Sequence, residues 1–316
     1  MKKLMIAVLL AVSVLGGFAA GPAQAPVLEG QVSISGAWAL YPMVVKWAEE
    51  FQILHPRVRI DVQAGGAGKG IADVIADMVD FGMVSRDVHP VEMEKGALPF
   101  AVTKDAVVPM INSKNPYLPE ILRKGLTRQA FIDIWITKSA TVWGDVLDGK
   151  APAPIHVFTR SDACGAAETW ALFLDKRQED LGGVAVYGDP GLADAVRRDP
   201  LGIGFNNVNF AYDPKTLAPI AGLVAVPIDL DGNGMIDPVE RFYGTRDDLT
   251  KAIGENKYPS PPARDLYLVS KGVPAKPAAA AFLRWILGEG QKYVPETGYI
   301  RLSEDKLKAG LALLDK

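Results

Sequence analysis

At 316 residues, 49% hydrophobic and 22% charged, the chain is not a disordered or collagen-like polymer, and it is long enough for a sizeable core shared between two domains. A formal net charge of -3, with no block of Lys or Arg, excludes the electrostatic footprint of a nucleic-acid binder or of a protein drawn to acidic membranes. With a single cysteine, Cys164, no internal disulfide can form, so stability rests on the core.

The chain opens with Lys2 and Lys3, an apolar run from Leu4 to about Leu15, and small residues up to Ala23-Gln24-Ala25. This pattern predicts a secretory signal peptide over residues 1–25, cut after Ala23 or Ala25 and too short to be a stable membrane span. No cysteine lies near the cut, so a lipoprotein anchor is unavailable, and the mature chain is expected in a bacterial periplasm.

Val32 to Trp38 alternates like a strand and runs into a glycine turn, after which Val44, Val45, Ala48 and Phe51 fall at helical spacing. Val58 to Val62 is a second strand, followed by the turn Gly65-Gly66-Ala67-Gly68 and a helix through Val74, Ile75 and Met78. Val79 to Val84 predicts a short buried strand ending in the polar pair Ser85-Arg86. Pro99 to Thr103 and Ala106 to Ile111 predict two further strands, the second apolar enough to be central. Asn112 to Pro119 is polar and proline-bearing and predicts a crossing between domains. A helix follows through Phe131, Ile132 and Ile134, and loops then lead to Val157-Phe158-Thr159-Arg160.

That last run, the turn Ser161 to Gly165 and the apolar stretch through Trp170 read as strand, tight turn and helix. The geometry aims free backbone N–H groups and the positive end of a helix dipole at whatever sits above the turn. It is the third instance in the chain, and three such turns point to a shared anion site. Cys164 lacks any His at metal-ligand or catalytic spacing, so it is expected to be a small, semi-buried stand-in for serine.

Further on, Gly191 to Arg198 is helical, Gly202 to Asn207 and Val224 to Ile228 are strands, Tyr258 to Arg264 is a proline-rich return, Asp265 to Ser270 is a strand, and Pro277 to Tyr293 is a helix. Strands alternating with helices predict an α/β fold with mainly parallel sheets. Between these elements, Asp229 to Glu240 matches the twelve-residue calcium loop without a gap. Oxygen ligands for Ca²⁺ would come from Asp229, Asp231, Asn233, the Met235 carbonyl, Asp237 directly or through water, and Glu240 in bidentate fashion. Pro227 precludes a long entering helix, so the loop is expected as a single structural site.

Several stretches, in order, resemble the phosphate-binding proteins of ABC importers: Ser35-Gly36-Ala37-Trp38 through Tyr41-Pro42, Lys46 to Glu50, Gly65 to Ile71, Val79-Asp80-Phe81-Gly82, Arg160 to Gly165, and Gly298-Tyr299. The resemblance covers nearly all of the mature chain. It implies a two-lobed periplasmic binding protein of type II, without enzymatic activity, whose lobes are residues 26–106 plus 265–316 and residues 107–264, joined by two crossings. It also implies a desolvated oxyanion held by backbone N–H groups, hydroxyls, an arginine and a carboxylate. Carried over, the arginine is Arg160, the acid that locks it is Asp162, Ser85 stands where the family has an acid or a serine, and Gly165 donates its N–H. Arg86 either faces the cleft or is a surface cation.

The sequence departs from the family at several ligands. The first turn offers Ala37, Trp38 and Ala39 in place of Ser or Thr, Ala67 stands where a serine is expected, and Gly-Ser-Gly-Thr becomes Ala163-Cys164-Gly165-Ala166. At about 1.5 to 3 kcal/mol for each hydroxyl bond to an ion, three or four losses amount to ~5 to 10 kcal/mol before water bridges restore part of it. The expected partners are phosphate or another small oxyanion and an ABC permease in the inner membrane, the protein being a monomer with Trp38 and Tyr41 as an aromatic wall. The alternative is a sensory module that has lost phosphate and takes another small ligand or a membrane receptor.

Overall fold

A computed structural model describes residues 27–147 and 149–316; the expected signal peptide lies outside the described residues. In chain order the first lobe begins with β1 (Gly30–Gly36), α1 (Tyr41–Leu54), β2 (Val58–Ala64), α2 (Ala67–Ile75), β3 (Phe81–Val84) and α3 (Pro90–Glu94). β4 (Ala97–Asn112) leads into α4 (Leu118–Lys124), β5 (Leu126–Thr127), α5 (Arg128–Trp135), β6 (His156–Arg160), α6 (Gly165–Phe173), β7 (Val184–Val186) and α7 (Gly188–Arg198). Then come β8 (Gly202–Asn207), α8 (Val208–Ala211), β9 (Leu223–Ala225), β10 (Ile228–Asp229), α9 (Arg246–Gly254), β11 (Ala263–Lys271), α10 (Pro277–Leu287) and α11 (Glu304–Leu314).

The main sheet runs β2-β1-β3-β11-β4-β8-β6-β7, with β9 also on β4. Its two ends are parallel, β1 with β2 and β3, β6 with β7 and β8, as strand-helix-strand units require. Its middle is antiparallel: β11 pairs with β3 and β4, and β4 pairs with β8 and β9. The sheet is therefore mixed, not mainly parallel, because its central strands are the ones that carry the chain between lobes.

The strands predicted at Pro99 to Thr103 and Ala106 to Ile111 are one continuous strand. β4 pairs with β11 as far as Ala106 opposite Ala263, and with β8 from Val107 opposite Asn207. Asn112 to Pro119 is not a crossing, since Asn112 pairs with Leu223 and its Nδ2 donates to the Val196 and Arg197 carbonyls, all within the second lobe. The stretch predicted as one strand at Val224 to Ile228 is split into β9 and β10 around Pro227, which has no N–H for a ladder. The last predicted helix stops at Leu287 and continues as a 3₁₀ turn over Glu289–Tyr293.

Two cores sit on either side of that partner change. One gathers Trp47, Phe51, Phe81, Phe100 and Phe282, the other Phe131, Trp135, Trp170 and Phe205. In the second, Trp135 meets Trp170 edge-on at 5.5 Å and Trp170 stacks on Phe205 at 5.8 Å, pairs whose geometry adds to the gain from burial. α10 shows why periodicity was informative: Ala278, Phe282 and Ile286 lie at four-residue intervals and are all buried, the large ones worth about 1.5 to 3 kcal/mol each.

Glycine brings α2 down onto the sheet. A Cβ on Gly36, where φ is +129°, would stand 2.4 Å from the Met83 carbonyl oxygen, and one on Gly70 would stand 2.6 Å from the same atom. The residues that looked like parts of an anion cup are thus needed in part for backbone contact.

Candidate ligand cleft between the lobes

The turns after β1, β2 and β3 meet the turns that open α6 and α7 along one seam. The Gly68 N–H donates to the Ala163 carbonyl across it at 3.2 Å. Gly165 lies so close to Ser85 that a Cβ would stand 2.3 Å from both the carbonyl oxygen and Oγ. Gly188 leaves room for the Trp38 ring, 3.4 Å from where its Cβ would be, and Phe210 meets Trp38 edge-on at 6.4 Å. Arg86 closes the rim by pairing with Glu168 at 3.0 Å while Glu92 holds its other nitrogens at 2.7 and 2.9 Å.

Inside the seam the side chain of Arg160 is fully buried. Its Nε and Nη2 donate to the two oxygens of Asp162 at 2.8 and 2.6 Å, a planar two-point clamp that leaves one nitrogen over. That nitrogen, Nη1, is 3.0 Å from Asp189 Oδ1 but is not aligned to hydrogen-bond it. Burial works against the charge of Arg160, yet Asp189 and Asp162 more than offset it and its pKa is raised. Asp189 Oδ1 also accepts from Asn207 Nδ2 at 2.7 Å, and the Asn207 oxygen accepts from Arg264. Arg264 Nε donates to the Ser85 carbonyl at 3.2 Å and its Nη1 is 3.9 Å from Asp105. Burial pushes the Asp105 carboxyl up to about 6, with Arg264 opposing part of the rise.

Three buried donors in this region therefore make no aligned hydrogen bond, Arg160 Nη1, Arg264 Nη1 and Trp38 Nε1, and neither do the two oxygens of Asp105. Sequence reading missed Asp105, Asp189, Asn207 and Arg264. The available signal was polar residues at the ends of buried stretches, Asn206-Asn207 closing β8 and Gly188-Asp189 opening α7.

The predicted residues fall into groups. Ala37 is buried, and its N–H, expected to face a ligand, donates to the Met83 carbonyl at 2.8 Å. Ala39 is buried and its carbonyl accepts from the Tyr299 hydroxyl at 2.6 Å. Trp38 is half-buried at the seam, and Ala67, Gly165 and Ala166 begin α2 and α6, where the first N–H groups have no partner within the helix. Of the two alternatives for Arg86, a surface cation is excluded: it is buried, lines a cavity at the seam with Gly68, Ala163 and Cys164, and is held there by the bridge to Glu168 and Glu92. Glu168, in the first turn of α6, is the second lobe's half of that bridge. Cys164 caps α6 by accepting from the Ala167 N–H at 3.5 Å, and burial pushes its thiol up to about 12, so it stays protonated and unreactive.

Away from the cleft, β10 pairs with β5 and delivers Asp229 into the twelve-residue loop. Asp229 accepts from the Gly232 and Gly234 N–H groups, and Glu240 from those of Leu230 and Asp237. Asp229, Asp231 and Glu240 bring carboxylate oxygens within 4.8 Å of one another. Asp237 and Asn233 are joined at 2.9 Å, and the Met235 N–H donates to Asn233 Oδ1. A short 3₁₀ turn, Pro238–Glu240, follows in place of an exiting α-helix.

Among the described residues, no helix is long and apolar enough to cross a membrane. The family profile described as the PBP superfamily domain matches residues 21–289. The phosphate-binding protein PstS of Methanocaldococcus jannaschii is 26% identical, over 85% of this chain and 81% of its own length. That of Xylella fastidiosa is also 26% identical, over 88% and 83%. Among solved structures, a candidate phosphate ABC transporter substrate-binding protein from Clostridium perfringens with bound phosphate superposes with a TM-score of 0.70 at 23% identity, over 87% of this chain and 100% of that one. An ABC-type phosphate transport receptor from Vibrio cholerae superposes with a TM-score of 0.61 at 19% identity, over 86% and 100%. The structural likenesses establish the two-lobed fold.

Proposed function

The chain belongs to the PBP superfamily, and from that premise we propose that it is an extracytoplasmic solute-binding protein of an ABC importer, taking inorganic phosphate or a related small oxyanion in the seam between its lobes. The reading rests on one observation above the others: buried donors on Arg160, Arg264 and Trp38 are left without an aligned hydrogen bond in the protein. A buried unmade hydrogen bond costs about 1 to 3 kcal/mol, so an acceptor that fills the seam is favoured. The curated relatives, named as phosphate-binding proteins, make phosphate the first ligand to test. Capture and release by lobe motion, with no chemical step, is the role this gives the protein.

Titration calorimetry of the mature chain with phosphate tests the assignment. Arg160→Lys keeps the charge but not the two-point clamp on Asp162, and is expected to weaken phosphate by about 100-fold, ~2.8 kcal/mol. A second reading, a sensory module with another guest, is favoured by the engaged N–H groups of Ala37 and Gly68. No heat with millimolar phosphate, together with a different small molecule carried through purification, would select it.

The loop Asp229 to Glu240 is assigned to one structural Ca²⁺, supported by the ligand spacing and by Gly234 at φ +78°, the sharp turn that such a loop needs. Calcium at 100 times its dissociation constant is expected to stabilise the protein by about 2.7 kcal/mol, read as a rise of several degrees in Tm that chelator reverses. A Tm indifferent to both rejects the assignment.

A further inference from the structure

We propose that Asp189 is an internal competitor for the anion seat, so that it, rather than the missing hydroxyls alone, sets how tightly the cleft holds an oxyanion. The inference rests on the proposed reading of the seam as an oxyanion site. Arg160 has three nitrogens, and Asp162 occupies two of them. The third, the only one left for a guest, already faces the Asp189 carboxylate at 3.0 Å.

Asp189 is fixed in that position from three directions. It is 1% exposed, it lies in the first turn of α7 just after Gly188, and it accepts from Asn207 Nδ2 at 2.7 Å while Asn206 Nδ2 donates to its backbone carbonyl at 2.8 Å. Asn207 in turn is held by Arg264. The carboxylate therefore cannot swing away to admit a guest without giving up the buried hydrogen bond from Asn207 and the ion pair with Arg160. The charges of the seam follow the same logic. Two arginines, Arg160 and Arg264, already face three aspartates, Asp105, Asp162 and Asp189, so an added anion enters a region with no spare positive charge. Repulsion between like charges a few ångströms apart persists in the interior, where water screens it little.

The off-line geometry between Nη1 and Asp189 is the second half of the argument. Nη1 is near its carboxylate without being hydrogen-bonded to it, so the donor stays available to a guest that can also tolerate the neighbouring negative charge. The seam is thereby biased toward guests of low charge, or guests that offer a proton to Asp189, and against fully ionised ones.

The test compares the mature wild-type chain with Asp189→Asn, which keeps the shape and an oxygen facing Asn207. Phosphate and sulfate are titrated into both proteins at low ionic strength. Asp189→Asn is expected to bind phosphate about 100-fold more tightly, ~2.8 kcal/mol, and to gain at least as much for sulfate, which has no proton to offer at neutral pH. Equal affinities in the two proteins overturn the inference and leave the oxyanion reading standing. Binding by the variant alone supports both. Silence from both proteins overturns the reading and the inference together. Circular dichroism establishes that the variant is folded, and Asp189→Ser, smaller and equally uncharged, takes its place if it is not.

Discussion

Gly165→Ala is expected to hold the lobes apart and weaken phosphate binding by about 100-fold or more, ~2.8 kcal/mol. The added Cβ would stand 2.3 Å from the Ser85 carbonyl oxygen and Oγ, distances at which one lobe must retreat from the other. Helix stability cannot account for a loss, because alanine is the better helix former at that position. Each lobe keeps its own core, so Tm should change little. Small-angle scattering should give a larger radius of gyration for the variant that phosphate no longer reduces. Contraction to the wild-type value on adding phosphate would show that the contact between Gly165 and Ser85 is not what closure requires.

The second large effect is on stability against pH. The Asp105 carboxyl is completely buried and raised from 3.8 to about 6. An acid whose pKa is higher in the folded chain stabilises it fully below the unfolded value and loses that contribution as pH rises through the folded one. Between pH 4 and 7.5 this one group should therefore lower the unfolding free energy by ~2.4 kcal/mol, at 1.36 kcal/mol for each unit. Asp189 and Glu168 are raised too, both by burial that Arg160 and Arg86 only partly oppose, so their contributions fall in the same direction. Asp105→Asn should flatten the profile by the share that belongs to this group. Urea unfolding of both proteins across this range checks it; parallel profiles would mean that Asp105 ionises freely in the folded chain.

Much of the fold was readable because it is local. Alternation in Val32 to Gly36, four-residue spacing in α10 and the strand-turn-helix order at Arg160 each reflect a periodicity that burial imposes on neighbours in the chain. The clamp between Arg160 and Asp162 was legible for the same reason, being two residues apart. What could not be read was long-range pairing. Nothing near Arg264 in the sequence indicates that it meets Asp105, Asn207 and Ser85, and nothing beside Arg86 indicates Glu168. The glycines misled in part: a glycine that admits a ligand and one that admits a neighbouring strand look alike, and Gly36 and Gly70 serve the strand. The Ala37 amide completes the link between β1 and β3.

β4 runs through both lobes without a break, changing partner between Ala106 and Val107, and β11 starts beside that point at Ala263. With no flexible tether there, one half of the molecule can only pivot against the other by twisting two hydrogen-bonded ribbons about a shared fulcrum. In such a pivot, atoms at the fulcrum would travel least, and contacts across the seam such as Gly66 against Asp162 and Trp38 against Gly188 would have to part. Asp105 and Arg264 sit at the still centre of that lever, so their charges are felt in every posture the protein adopts.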